Sequence, residues 1–110
     1  MSNVFEQIIQ GTLPCDKVFE NDHVLAFRDI APQAPVHIII VPKKSIPNLA
    51  GASSSDQNLL GEVLLVAQKI AKQEGLSYFR LITNNGEEAG QSVFHLHFHL
   101  LGGRPLGILG

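Results

Sequence analysis

Apolar positions along this chain fall into two periods, one near 3.6 residues and one of 2, and the switches between them mark out its elements. Val4, Phe5, Ile8 and Ile9 recur at helical spacing behind Asn3 and Glu6, a capping-box pair, and Gly11 and Pro14 stop this first short helix. Two β-type runs follow, Lys17–Glu20 and Val24–Arg28, and Asn21 with Asp22 between them predicts a hairpin. Pro32 and Pro35 punctuate a loop over 29–35. Residues 36–41 are β-branched and almost wholly apolar, closed by Pro42, as suits a central strand. Residues 45–55 read as loop. Ser54 and Gln57 form a second capping-box pair, after which Leu59, Leu60, Val63, Leu64, Ala67, Ile70 and Ala71 mark one face of a long helix. Lys69 and Lys72 suit its last turn and Gly75 is placed to end it. Residues 78–83 read as a strand, 84–92 as a Gly/Asn loop, and 93–101 as the final strand. The order is helix, three strands, helix, two strands. It predicts an α+β fold around a mostly antiparallel sheet, in one domain over residues 1–110, with no repeat or linker to divide it.

Composition narrows the setting. The chain has 110 residues, 45% hydrophobic and 16% charged, an ordinary globular balance with room for one core. No apolar run approaches the roughly 20 residues that span a bilayer. The opening residues show no basic segment followed by an apolar one, so no signal peptide is visible. Cys15 is the sole cysteine and forms no internal disulfide, in keeping with a reducing compartment. A cytoplasmic protein with no membrane partner is expected. Net charge is −2, and among the scattered cations only Lys43 and Lys44 adjoin. A basic stripe interleaved with aromatics is absent, which argues against nucleic acid as a partner. Any phosphate ligand must be small and held by local donors.

The chemistry concentrates in the last strand. Side chains alternate across a strand, so His95, His97 and His99 are expected on one accessible face, with Phe94, Leu96, Phe98 and Leu100 on the other. Three of the five histidines fall within five residues, whereas an ordinary solvated face draws on Lys, Glu, Thr and Ser. One reading is a metal site, since imidazoles at i and i+2 can converge on Zn²⁺, with His37 as a further ligand from a neighbouring strand. The outer two histidines start about 13 Å apart at roughly 3.3 Å per residue, a long span for one ion. The other reading is covalent catalysis at phosphorus. A neutral imidazole is a good nucleophile, and the central histidine would attack while its neighbours and His37 bind phosphoryl oxygens or move protons. The preceding loop, from Asn84 to Ser92, offers side-chain donors and a glycine-rich backbone able to point N–H groups at an anion.

These residues resemble the histidine triad (HIT) family, whose signature of three histidines separated by apolar residues stands here as His95-Leu96-His97-Phe98-His99-Leu100-Leu101. The likeness covers nearly the whole chain. The segment from Phe27 to His37, Val41-Pro42-Lys43-Lys44, Gly90-Gln91-Ser92-Val93 and Gly102-Gly103-Arg104 are similar to the Hint branch, the last differing from the Fhit branch. The resemblance implies a HIT-like fold, a five-stranded sheet with two helices, and a homodimer whose sheets join into ten strands with the helix over 56–74 near the two-fold axis. It implies a phosphoramidase that cleaves the P–N bond of purine nucleoside 5′-phosphoramidates, and also aminoacyl adenylates, through a nucleotidyl-histidine intermediate. Alternatives are a dinucleoside polyphosphate hydrolase, against which Gly102-Gly103-Arg104 argues, and a non-catalytic purine-nucleotide-binding regulator.

By the same resemblance His97 is the nucleophile, the main chain of His95 orients its ring, and His99 and His37 assist. Asn84, Ser92 and the backbone of Val93 would contact the phosphate or leaving group. Asp29 would accept both ribose hydroxyls, as an ionised carboxylate can. Val4, Phe5, Ile8, Phe27 and Ile30 would hold the base. No metal cofactor is required, and a bound zinc would not be catalytic. His23 matches no motif. The chain departs from animal Hint proteins in its tail, Pro105-Leu106-Gly107-Ile108-Leu109-Gly110, which has no tryptophan, and Asn85 stands where Glu is common.

Overall fold

The computed structural model of the chain describes residues 3–110. Helix α1 (Val4–Gln10) leads into the hairpin β1 (Lys17–Glu20) and β2 (Val24–Arg28), then β3 (Val36–Pro42), helix α2 (Gln57–Gln73), β4 (Phe79–Ile82) and β5 (Phe98–Gly102). The strands form one sheet in the order β1-β2-β3-β5-β4, every pairing antiparallel. The chain crosses over α2 to reach the β4 edge and returns to insert β5 beside β3.

Local signals start and stop both helices. The Asn3 side chain accepts the Glu6 N–H at 2.9 Å while Glu6 reaches back to Asn3, and Gly11 ends α1 at φ +83°. The cap before α2 sits one residue earlier than the Ser54–Gln57 pair predicted. Asp56 accepts the Ser53 N–H at 2.9 Å, and Lys44 holds the same carboxylate at 2.6 Å. An ionised acceptor with a cationic partner outcompetes a neutral glutamine there. A short 3-10 turn, Ser54–Asp56, then runs straight into α2. Gly75, at φ +71°, closes the helix as the sequence indicated.

Alternation along the sheet divides the core in two. Val24, Ala26, Ile38, Ile40 and Leu100 pack with Leu96 against Val63, Val66, Ala67, Ile70 and Ala71 of α2. Leu25, Phe27, Ile39 and Val41 face the other way and meet Phe5 of α1. A strand buried on both faces is nearly all apolar, which is why residues 36–41 read as they do, with His37 the one polar side chain among them. Leu64, placed by periodicity on the buried face of α2, is exposed. Val66 is buried instead, so the apolar stripe is rotated toward the 63/66/67/70 rows.

The final strand is shorter than predicted. Residues 93–97 are irregular because their main-chain groups have other partners. Leu96 N–H donates to Ile46 O at 2.6 Å, and His97 O accepts the Thr83 hydroxyl at 2.8 Å. Strand alternation therefore fails before residue 98, and Phe94 is exposed while Leu96 is buried. Among the described residues no helix is long and apolar enough to cross a membrane. Ile40 is wholly buried between sheet and α2. Ile40→Ala should destabilise the fold by about 2–5 kcal/mol, read as a lower urea midpoint with an unchanged m-value.

Candidate active site

Pairing of β3 with β5 sets His37 opposite Leu101 and Ile39 opposite His99, so both histidines share the face that carries Phe27 and Ile39. Their rings meet diagonally, His37 Nε2 lying 2.8 Å from His99 Nδ1. The tautomers follow from the neighbours. Gln33 N–H donates to His37 Nδ1 at 3.0 Å, so the proton of neutral His37 sits on Nε2 and is donated to His99 Nδ1. The proton of neutral His99 is thereby placed on Nε2. Asp29, just past the end of β2, has Oδ2 3.3 Å from His37 Nε2 and accepts the Ala31 N–H on Oδ1 at 2.8 Å.

His97 lies just before β5 with Nδ1 2.7 Å from the carbonyl of His95. A carbonyl only accepts, so Nδ1 carries the hydrogen and Nε2 keeps its lone pair. Phe5 stands edge-on to this ring at 4.8 Å between centroids, and His99 packs at 5.1 Å on another side. Burial holds His97 and His37 below the ordinary imidazole range, against the opposing pull of Asp29. His99 is pushed down to about 4, first by burial and then by His97 and His37 beside it.

Asp29, His97 and His99 line a cleft of about 470 Å³ between α1, the ends of β2 and β3, and the loop over 84–92. Val4, Phe5, Ile8, Phe27 and Ile30, all expected at a base slot, line it, as do Asp29, Asn84, Ser92, Val93, His97 and His99. His37 stands behind His99, in contact with it and with Asp29. The exception is His95. It was expected on an accessible face with the other two, yet it is 1% exposed and lies outside the cleft lining, with Nε2 bonded to Pro42 O at 2.7 Å. The irregular backbone at 93–97 turns its ring into the interior, and only its carbonyl serves the site.

The cleft also takes in residues that the sequence did not assign to the site. Ile39 lies two residues beyond His37 on β3, so strand alternation alone could have placed it here. Pro14, Cys15 and Asp16 form a further wall, and no local signal marks them. Gln33 fixes the His37 tautomer through its main chain, which side-chain motifs do not reveal. His23 is exposed and remote from the cleft.

Residues 10–106 match the HIT domain family. The chain belongs to that family. HIT relatives share it nearly end to end. Purine nucleoside phosphoramidase of Escherichia coli strain K12 is 49% identical over 106 residues, covering 94% of this chain and 89% of that protein. A HIT-like protein of Synechococcus elongatus is 53% identical over 104 residues, 94% of this chain and 91% of its own. A HIT family hydrolase from Legionella pneumophila has the same fold, with TM-score 0.92 and 46% identity over 94% of this chain and 95% of that one.

The depressed histidines link this HIT site to stability. Between their folded-state values and the ordinary 6.5, the unfolded chain binds more protons than the folded one, so stability falls with acid in that window. The melting temperature should hold above pH 6.5 and decline from there toward about 4, where His99 titrates. His99→Asn should flatten that decline, measured by thermal melts across the range.

Proposed function

We propose that this HIT-family chain is a nucleoside phosphoramidase, hydrolysing the P–N bond of purine nucleoside 5′-phosphoramidates through a covalent nucleotidyl-His97. The observation that carries this reading is His97 itself, whose Nδ1–H is committed to the His95 carbonyl, leaving Nε2 as a neutral base at the cleft. The relative named purine nucleoside phosphoramidase, 49% identical, supports the reaction class.

In this reading the lone pair of His97 Nε2 attacks phosphorus, the P–N bond breaks, and the departing nitrogen takes a proton to leave as an amine. That proton is drawn from solvent and is returned when water attacks; neutral His99, its Nδ1 backed by His37 Nε2–H, hydrogen-bonds the reacting group through Nε2–H without giving that hydrogen up. Water then attacks phosphorus, the bond to His97 breaks, and the nucleoside monophosphate leaves with one water consumed. The low proton affinity of the buried imidazoles keeps the nucleophile neutral at physiological pH. Asn84, Ser92 and the N–H of Val93 hold the phosphoryl oxygens, and donors set in place for the growing charge need no reorganisation. Asp29 takes the ribose hydroxyls, and Val4, Phe5, Ile8, Phe27 and Ile30 enclose the base. Gly102-Gly103-Arg104 favours the phosphoramidase branch over a dinucleoside polyphosphate hydrolase.

No metal takes part in this reading. Asp29, His37 and His99 lie close enough to surround a cation, with their ligand atoms within 4.8 Å of one another. The Gln33 N–H on Nδ1, however, keeps the His37 proton on Nε2, the atom that would have to bind the ion. We also propose that the chain pairs with a second copy through β4. That strand is a sheet edge, Phe79 on it and Tyr78 just before it are exposed, and Leu64 and Leu65 expose further apolar surface on α2.

His97→Ala should lower P–N hydrolysis by at least about a thousandfold while AMP and GMP binding survives; unchanged hydrolysis would sink the nucleophile assignment. In the same assay EDTA should leave the wild-type rate unaltered. Light scattering should give twice the chain mass, and Leu65→Glu should shift it toward one chain.

A further inference from the structure

Loop 84–92 carries one buried polar side chain, and it does not line the cleft. Gln91 is 2% exposed, and its amide is used in every direction. Its Oε1 accepts the Gly86 N–H at 2.8 Å, and its Nε2 donates to Pro47 O at 2.7 Å and Val93 O at 3.1 Å. The Gln91 main-chain N–H closes on Gly86 O at 3.1 Å. Beside it, Asn85 Oδ1 accepts the Ala50 N–H at 2.7 Å, so the loop is moored twice to the segment 47–50.

The bond from Gln91 to Val93 O closes a ring over Ser92. It fixes the backbone that aims the Ser92 hydroxyl and the Val93 N–H. The bond to Gly86 holds the other end of the loop, two residues past Asn84. Gly86 and Gly90 take φ values of +97° and +104°, a path that few side chains tolerate, so the loop has little conformational preference of its own for this course. A buried amide left without these partners loses far more than one hydrogen bond is worth in water.

We propose that Gln91 is a positioning residue for the phosphate end of the cleft, holding Ser92, the Val93 N–H and Asn84 at the spacing that a phosphoryl group requires. The inference rests on the nucleotidyl-transfer reading above. It separates the two ends of the site, because among the described residues the Gln91 amide hydrogen-bonds Gly86, Pro47 and Val93 and neither α1 nor Asp29, which would take base and ribose.

The test compares nucleoside with nucleotide. Calorimetry with adenosine and with AMP, together with kcat and KM for adenosine 5′-phosphoramidate, would be run on wild type, Gln91→Met and Gln91→Glu. Gln91→Met keeps length and apolar bulk but loses the amide. Adenosine affinity should stay within about twofold, while AMP affinity falls about tenfold and kcat falls tenfold or more. Gln91→Glu keeps the shape and turns an oxygen toward two carbonyls. Its AMP affinity, relative to wild type at the same pH, should recover as acid protonates the carboxyl and restores one donor, a recovery that loss of packing does not give. Equal losses for adenosine and AMP, or no loss for either, would overturn the positioning role. A wild-type protein that binds AMP normally but cleaves no phosphoramidate would instead refute the reaction, leaving the adenosine–AMP comparison to decide Gln91. If Gln91→Met does not fold, the pH recovery in Gln91→Glu decides the question alone.

Discussion

The ladder between β3 and β5 is the contact on which the site depends. It sets Ile39 against His99 and His37 against Leu101, and so turns two imidazoles from different strands toward each other on one face. Because side chains alternate with period 2, a slip of one residue would send His99 to the α2 side beside Ile38 and Ile40, and turn Phe98 and Leu100 toward the cleft. That slip is opposed by the apolar residues themselves, since Phe98 and Leu100 are among the buried members of the α2 core. The hydrophobic effect thus fixes the register, and the register fixes the distance between the two rings.

Once the rings are in place, main-chain groups decide where each proton sits. Gln33 N–H occupies His37 Nδ1, His37 Nε2–H points at His99, and the His95 carbonyl claims the proton of His97. His97 and His99 are each left with one defined free function while both nitrogens of His37 are engaged, and removal from water keeps all three short of protonation. The loop carrying Gln33 is itself tethered, because Arg104 donates to Gln33 O at 2.8 Å. The residues just after β5 therefore bear on a histidine in β3. Gly103, at φ +92°, makes that approach possible, since a Cβ there would lie 2.9 Å from Pro35. This gives Gly102-Gly103-Arg104 a physical function beyond serving as a family signature.

Much was legible in the chain itself. Helical spacing with a cap and a terminal glycine located α1 and α2, and a continuous β-branched run located β3, because local backbone preference and burial agree at those places. His97 and His99 both line the cleft as their spacing suggested, although His97 lies in the irregular segment just before β5. Asp29, Asn84 and Ser92 were found through family motifs, and all three line the cleft.

Other features needed the fold. His95 follows the same spacing as its neighbours, yet its ring is interior, because hydrogen bonds to Ile46, Thr83 and Pro42 replace the ladder before residue 98. Those partners are distant in sequence, and no local pattern encodes them. The same holds for the Gln33 N–H and for the bond from Gln91 to Pro47, which are main-chain meetings between separate segments. The sequence by itself determined which side chains carry the chemistry and which elements hold them, through periodicity and residue type. Only the tertiary structure decided which histidine turns its ring away from the cleft, which nitrogen bears each proton and which amide steadies the loop, because those depend on backbone groups brought together from far along the chain.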